Sequence, residues 1–204
     1  MMFSALTLRQ TLVLWTLCLA SATASGQTVA PLKPIDSLEV PRYLGRWYEI
    51  AKFPNWFQRK CASDTAADYA LLPDGSLSVL NQCRQANGTW DKAQGQAKQM
   101  GDLHSATLQV RFAPAWLSFL PWVWGDYWVV DVDDTYELAA VSEPKREYLW
   151  ILSRTPEVDA ARYTALLARL QAMGLDTGRL VKTPTWVTRN ACQPDPIEIL
   201  VVAL

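Results

Sequence analysis

Short runs in which apolar and polar residues alternate fill most of residues 46–153. One run ends at Leu71 and the next begins at Leu77, with the turn residues Pro73-Asp74-Gly75 between them and a second turn, Asn87-Gly88, further on. Alternation with period two predicts strands that bury one face, and turns this close predict hairpins. The other strand-like runs lie at 46–53, 95–100, 108–112, 127–132, 136–142 and 148–153. About eight successive strands predict an all-β fold, an eight-stranded antiparallel up-and-down β-barrel, because closing the sheet removes its edges.

One segment towards the C-terminus has helical spacing instead. Its apolar residues are Tyr163, Leu166, Leu167, Leu170 and Met173. Thr155 is the expected N-cap, Pro156 the expected first helical residue, and Gly174 the residue that ends the helix. The apolar stripe predicts one C-terminal α-helix packed on the barrel wall.

The two ends of the chain do not follow the barrel pattern. Arg9 precedes an apolar run at 11–20 and the small residues Ala22-Thr23-Ala24, which predicts a cleaved signal peptide and export. We expect no lipid anchor at Cys18, because a bulky leucine precedes it. The expected organisation is a signal peptide at 1–24, a lead-in segment at 25–34, the barrel with its helix at 35–192 and an apolar tail at 193–204. The tail is too short to span a bilayer, and it is a candidate surface for a homodimer.

Cys61, Cys83 and Cys192 remain after removal of the signal peptide. An exported chain meets an oxidising compartment, so one disulfide and one odd thiol are expected. If the hairpin ladder runs straight, Cys61 lies four residues beyond the partner of Cys83, roughly 13 Å away at about 3.3 Å per residue. A disulfide needs Cα atoms within about 7 Å. We therefore favour Cys61–Cys192, while a Cys61–Cys83 bridge would require the strand to bend or the ladder to end early.

The composition excludes some classes of function. The chain has 204 residues, 19% of them charged, a net charge of −1 and no basic stripe, so nucleic acid is not an expected partner. It contains no Gly-x-Ser-x-Gly elbow, phosphate-binding glycine loop or metal-ligand cluster, and we expect neither catalytic residues nor a metal or other cofactor. Two alternatives remain open. Cys83, if free, could serve a lipid-modifying enzyme, and His104 or Tyr69 could hold the iron of a haem or pigment.

Side-chain parity indicates which face of each strand lines the barrel. Pairing around the first turn places Ala67 opposite Asn81 and Tyr69 opposite Val79, and directly opposed residues share a face. The expected lining is apolar and aromatic. It consists of Ala67, Tyr69, Val79, Asn81, Val110, Phe112, Tyr127, Val129, Tyr148 and Trp150.

Trp47 opens the first strand and Arg154 ends the last. They can meet only if the sheet closes, and the guanidinium can then lie on the indole and plug one end of the barrel, a contact worth roughly 0.5–2 kcal/mol. A barrel plugged at one end is a cup, which indicates a binding protein. The long apolar connection containing Trp116–Trp124 is a candidate lip at the mouth of the cup, for membrane contact or for gating the ligand.

Three motifs occur in order: Tyr43-Leu44-Gly45-Arg46-Trp47-Tyr48-Glu49-Ile50, then Val132-Asp133, then 148–156. Together they resemble the lipocalins, specifically the bacterial outer-membrane group related to apolipoprotein D, over about Tyr43 to Trp186. The resemblance implies an eight-stranded barrel with a flanking helix that binds fatty acids or lysophospholipids. It also implies a carrier or storage protein of the bacterial envelope that supports membrane maintenance, in the periplasm or at the periplasmic side of the outer membrane. Gly45, Trp47, Asp133 and Arg154 match the signature, which we expect to be structural, although the second motif usually reads Thr-Asp-Tyr.

Overall fold

The computed structural model describes residues 30–185, which form a closed antiparallel barrel. The strand order is β2-β3-β4-β5-β6-β7-β8-β1-β9, and β1 also pairs with β2, which closes the sheet. The strands are β1 Gly45–Lys52, β2 Cys61–Leu71, β3 Leu77–Gln85, β4 Trp90–Gln99, β5 Thr107–Arg111, β6 Gly125–Val132, β7 Leu138–Ser142, β8 Leu149–Ser153 and β9 Val181–Lys182; the helices are α1 Val40–Tyr43 and α2 Ala160–Ala172. The predicted eight-stranded barrel with a C-terminal helix is confirmed. Strand β9, which pairs with β1, was not predicted.

The barrel wall separates two apolar clusters. The inner cluster surrounds Trp47 and Val129, and the outer cluster lies between the wall and α2. Strand β7 shows the division, because Ala139 and Val141 belong to the inner cluster whereas Leu138 and Ala140 belong to the outer one. Consecutive strand residues face opposite sides of a sheet, and here both sides are covered, so all five residues of β7 are buried.

Helix α2 packs on the wall as predicted, but it begins later than predicted. Leu166 and Leu170 are buried against the wall. The N-cap is Asp159, whose side chain accepts a hydrogen bond from the amide of Arg162. Thr155 instead donates its hydroxyl to the carbonyl of Glu157, within the turn that carries the chain from β8 back to the wall. The expectation that Thr155 caps the helix and Pro156 begins it was therefore wrong. The expected end is confirmed by Gly174, which has a φ of +79° just beyond the helix.

The predicted disulfide between Cys61 and Cys192 was wrong, because Cys61 is bonded to Cys83. The ladder between β2 and β3 does not run straight: its register shifts twice between Cys61 and Ala66, and Asp64 has a φ of +52° there. The two bulges bring Cys61 opposite Gln85, so that Cys83 becomes a diagonal neighbour with a Cα–Cα distance of 5.4 Å.

Several expectations fall outside the described residues. They are the signal peptide at 1–24, the absence of an anchor at Cys18, the state of Cys192, the tail at 193–204 and most of the lead-in at 25–34. Within residues 30–185, no helix is both long enough and apolar enough to cross a membrane.

Candidate ligand-binding cup

One end of the barrel is closed by Arg154 and Trp47. The guanidinium carbon lies 3.9 Å from the centre of the indole rings. Its nitrogens donate to the backbone carbonyls of Arg46 at 2.8 Å, Arg42 at 2.6 Å and Tyr136 at 3.2 Å. The indole N–H of the fully buried Trp47 donates to the carbonyl of Tyr43. The predicted plug is therefore present, and it ties α1, β1 and the turn before β7 to the end of β8.

Most residues predicted to line the interior lie in the inner cluster or pack directly against it. They are Ala67, Tyr69, Val79, Val110, Tyr127, Val129 and Trp150. Asn81 lies directly opposite Ala67, as predicted, and is half-buried. Tyr148 stacks on Trp150 with ring centres 5.8 Å apart.

Phe112 lies just beyond β5, which ends at Arg111. It is 42% exposed, and its ring lies so close to Gly95 that a Cβ at that glycine would come within 2.7 Å of it. Gly95 pairs with the inner residue Val79, so Phe112 lies on the inner side at the rim of the barrel. The structure thus places this predicted lining residue at the mouth instead of within the inner cluster.

Solvent exposure among the inward-facing residues shows how deep the cup is. Val79 and Val129, near the closed end, are buried. Val110, Tyr127 and Trp150 are each partly exposed although they pack against the inner cluster. The inward-facing residues are therefore buried near the closed end and partly exposed to solvent above it.

Three tyrosine hydroxyls meet at the floor of the cup. The hydroxyl of Tyr127 lies 2.9 Å from that of Tyr43 and 2.9 Å from that of Tyr69. Burial raises the pKa of Tyr69 to about 12 and holds the pKa values of Tyr43 and Tyr127 well above their usual range. All three therefore remain neutral hydrogen-bond donors at physiological pH. Tyr43 was not among the predicted lining residues, because α1 precedes the alternating pattern.

A buried polar network borders the cup near its mouth. The carboxylate of Glu49 accepts hydrogen bonds from the side chains of Lys52, Gln58 and Thr183. The side-chain oxygen of Gln58 in turn accepts a hydrogen bond from the indole N–H of Trp150. A bulge in β1 between Glu49 and Ala51 lets Glu49 pair with Leu152 and Lys52 pair with Trp150, both inner residues. The ion pair between Lys52 and Glu49 could not be predicted from the alternation of residues in the sequence. The bulge reverses which face of the strand the following residues point to.

Exposed aromatic residues surround the open end. Trp116, Phe119 and Trp122, in the connection between β5 and β6, are 73%, 74% and 78% exposed. Trp56 and Phe57, in the connection between β1 and β2 at the same end, are also exposed, and their rings make an edge contact. We call these five residues the aromatic rim.

Trp124 holds the rim in place and does not belong to it. Its indole N–H donates to the carbonyl of Ser118 at 2.8 Å. The charged groups of Lys98 and Arg111 lie 4.6 Å and 5.2 Å from its ring. Arg111, itself buried, also donates to the carbonyl of Ala113 and to Gln96. These contacts fasten both ends of the connection to the outer wall.

Comparison with known proteins places this cup in a family. Residues 38–185 match the model of a lipocalin-like domain. The chain belongs to the lipocalin family. Temperature-induced lipocalin-1 of Arabidopsis thaliana is 43% identical over 155 residues, which cover 75% of this chain and 82% of that protein. The outer membrane lipoprotein Blc of Escherichia coli K12 is 36% identical over 171 residues, covering 79% and 92%. Apolipoprotein D of Mus musculus is 31% identical over 172 residues, covering 79% and 87%. The resemblance to the bacterial outer-membrane lipocalins and apolipoprotein D is confirmed.

The remaining signature residues of this lipocalin lie at the closed end. Gly45 has a φ of +87°, and a Cβ there would lie 3.6 Å from a nitrogen of Arg154. Asp133 accepts from the amides of Glu137 and Leu138 and pairs with Arg162 of α2. Burial opposes the ionisation of Asp133, but these hydrogen bonds and the nearby guanidinium outweigh it and lower its pKa. Asp133 thus organises the turn between β6 and β7 although the residues around it depart from the usual motif.

In residues 30–185 of this lipocalin, the groups considered for the alternative chemistries are engaged by other residues or lie away from the cup. Cys83 lies in a disulfide and offers no free thiol in this state. His104 is exposed in the turn between β4 and β5 at the closed end, and the hydroxyl of Tyr69 is engaged by Tyr127. No group of three or more His, Cys, Asp or Glu side chains in this part of the chain is arranged to hold a metal ion.

Proposed function

We propose that this lipocalin carries or stores single-chain lipids, fatty acids or lysophospholipids, in its barrel cavity. We further propose that it acts in the bacterial envelope in support of membrane maintenance. The observation that supports this most directly is the interior, which is plugged by Arg154 and Trp47 at one end and whose inward-facing residues are partly exposed to solvent towards the other. Its walls between these ends are apolar and aromatic, which suits an acyl chain better than a polar metabolite.

Burial of an acyl chain is sufficient to drive such binding. A sixteen-carbon chain would bury about fourteen methylenes at roughly 0.8 kcal/mol each, about 11 kcal/mol in all. Association costs of about 4 kcal/mol leave about 7 kcal/mol, which corresponds to a dissociation constant near 10 μM. Hydrogen bonds to the polar end of the ligand would tighten it further, and no catalytic group is needed.

Two features support an exported location. The N-terminal 24 residues have the pattern of a signal peptide. The Cys61–Cys83 disulfide is typical of a protein that matures in an oxidising compartment such as the periplasm. The name of the relative Blc, an outer membrane lipoprotein, fits the same envelope location.

A matched pair of substitutions tests whether the lipid occupies the cup. Val110 faces the interior and is partly exposed to it, whereas the adjacent Gln109 pairs with Asp126 on the outer face. We expect Val110→Trp to weaken binding of oleate to the delipidated protein at least about tenfold, because the new ring would fill the space of several methylenes. Gln109→Trp should leave the affinity unchanged. Equal effects of the two substitutions, or no oleate binding by the unsubstituted protein, would contradict the proposal.

The aromatic rim is proposed to contact a membrane surface while the ligand is exchanged. Its rings surround the mouth through which a lipid would pass, and aromatic side chains are favoured at membrane interfaces. We do not assign this role to Trp124 of the predicted lip, because its indole is held by Ser118, Lys98 and Arg111.

Sedimentation with phosphatidylethanolamine–phosphatidylglycerol vesicles tests the membrane contact. Trp116→Ser combined with Trp122→Ser should reduce vesicle binding by more than about tenfold. Burying the apolar surface of each ring in the membrane contributes roughly 2–3 kcal/mol to the free energy of binding. Leu71 and Leu103 are 57% and 84% exposed at the opposite end and provide the control pair. If Leu71→Ser with Leu103→Ser reduces binding equally, or if neither pair does, the rim is not the contact surface. A rim that instead joins two copies would show as loss of a dimer in sedimentation of the tryptophan variant.

A further inference from the structure

We propose that the polar end of the ligand is bound at the floor of the cup by the three tyrosine hydroxyls, and that this polar end is small and uncharged. The preferred ligands are then single-chain lipids with a neutral hydrogen-bond acceptor, such as a fatty alcohol, a fatty aldehyde or a protonated fatty acid, inserted polar end first. This inference rests on the proposed function, in which the cup holds a single-chain lipid.

The three tyrosine hydroxyls carry one more proton than the contacts between them use. Tyr43, Tyr69 and Tyr127 each carry one donor proton. The chain of contacts from Tyr43 through Tyr127 to Tyr69 uses two of these protons, whichever way the bonds are directed. No other side chain or carbonyl in residues 30–185 accepts a hydrogen bond from these hydroxyls. One hydroxyl proton therefore remains for a ligand, and leaving it without an acceptor once a ligand excludes water is unfavourable.

Of the three tyrosines, Tyr127 is the one that borders the open part of the cup. Tyr43 and Tyr69 are buried, whereas Tyr127 is partly exposed on the inner face of the barrel, opposite Leu108. When Tyr127 accepts hydrogen bonds from both neighbours, its own proton is the one that remains. The two bonds it accepts strengthen its donor character. The free donor then belongs to the ring that borders the open part of the cup.

The three tyrosines at the floor of the cup are uncharged. Burial keeps all three tyrosines protonated, so they present no negative charge. Arg154 is the cation that acts on Tyr43, but its hydrogen bonds are directed to backbone carbonyls and not to a tyrosine hydroxyl. A carboxylate brought to this floor would lose its water without gaining a cationic hydrogen-bond partner, which is costly. A neutral oxygen requires no counter-charge.

The same geometry disfavours bulky charged head groups. A phosphocholine group would have to stay at the mouth, and the methyl end of its chain would then lie against the tyrosine hydroxyls. The remaining donor would be covered by hydrocarbon without an acceptor. The inference therefore narrows the proposed ligands to those with small heads.

Ligands of equal chain length test this directly. Dodecanol, chlorododecane, dodecanoate and dodecylphosphocholine would compete with bound anilinonaphthalene sulfonate at about pH 8, where the acid is ionised. We expect dodecanol to bind about three- to tenfold more tightly than chlorododecane, the range for one hydrogen bond, and more tightly than the two charged ligands. Tyr127→Phe should abolish this preference for dodecanol. Tyr148→Phe removes a hydroxyl from an aromatic stack outside the three-tyrosine cluster and should preserve it.

The outcomes separate the two proposals. If none of the four ligands displaces the probe from the unsubstituted protein, the proposed lipid-binding function itself fails. If they bind but dodecanol and chlorododecane are equal, a water occupies the floor and the inference is overturned. It is also overturned if dodecanoate or dodecylphosphocholine binds most tightly, or if Tyr148→Phe acts like Tyr127→Phe. The ligand series on the unsubstituted protein keeps the test valid if Tyr127→Phe folds poorly.

Discussion

Replacing Arg154 by alanine should strongly destabilise the barrel, because this side chain fastens its closed end. The side chain makes three hydrogen bonds to backbone carbonyls and lies 3.9 Å above the indole of Trp47. The cation–π contact is worth about 1–2 kcal/mol in this partly buried geometry. The carbonyls can rebind water in the variant, so each hydrogen bond contributes about 1 kcal/mol or less. The expected loss is roughly 3–4 kcal/mol of unfolding free energy, a large part of the usual 5–15 kcal/mol.

Urea denaturation followed by tryptophan fluorescence measures this loss. With a slope of about 2 kcal/mol per molar, the midpoint should fall by about 1.5–2 M. Arg154→Lys should lose roughly half as much, because the ammonium keeps the charge near the indole but not the planar fork of donors. Arg179 provides the matched control: its guanidinium lies 4.3 Å from the ring of Phe53, but it is exposed. Arg179→Ala should cost less than about 1 kcal/mol. A loss below about 1 kcal/mol for Arg154→Ala, or equal losses for both arginines, would mean that Arg154 does not hold the closed end together.

Three further predictions concern stability. Because the pKa of Asp133 is lowered in the folded state, its carboxylate stabilises the fold above its ordinary pKa, and this contribution is lost as the pH falls through the lowered value. Asp133→Asn should therefore lower the unfolding free energy by about 1 kcal/mol near pH 7, and by steadily less as the pH of the urea melts is lowered through that range. Replacing Cys61 and Cys83 together by alanine should lower the unfolding free energy by about 3 kcal/mol, and a reductant should then have no further effect. Asp159→Ala should cost about 1 kcal/mol through loss of the N-cap, whereas Thr155→Ala should cost less; equal losses in thermal melts would contradict the observed helix start.

The strands and their facing residues could be predicted because the signals are local. Turn residues fixed the hairpin between β2 and β3, and the pairs Tyr69 with Val79 and Ala67 with Asn81 follow directly from it. The contact of Arg154 with Trp47 is distant in sequence, yet it follows from closure of the sheet. Alternation and closure together accounted for most of the cup.

The features that were not predicted arise where the strands depart from regular pairing. The bulges around Asp64, which carries its positive φ without being a glycine, moved Cys61 within reach of Cys83. The bulge in β1 turned Lys52 towards the interior. Strand β9 has only two residues and forms by pairing with β1, so it has no pattern of its own.

The choice of helix cap illustrates a different difficulty. Thr155 and Asp159 both have side chains suited to an N-cap. The tertiary structure decides between them, because the chain must first turn away from β8 before the helix can lie on the wall. Tyr43 was missed for a related reason: its position in the cup is set by α1 and by the packing of its ring on Trp47. Neither the choice of Asp159 as the N-cap nor the position of Tyr43 can be predicted from a periodic pattern in the nearby sequence.

Native mass spectrometry of the mature protein, purified without detergent and followed by lipid extraction, tests the central claim most directly. We expect a co-purified single-chain lipid at close to one per chain, displaced by added oleate. A protein that is empty as purified and still binds no acyl ligand after delipidation would contradict it, and would mean that the interior of the barrel is filled by its own side chains.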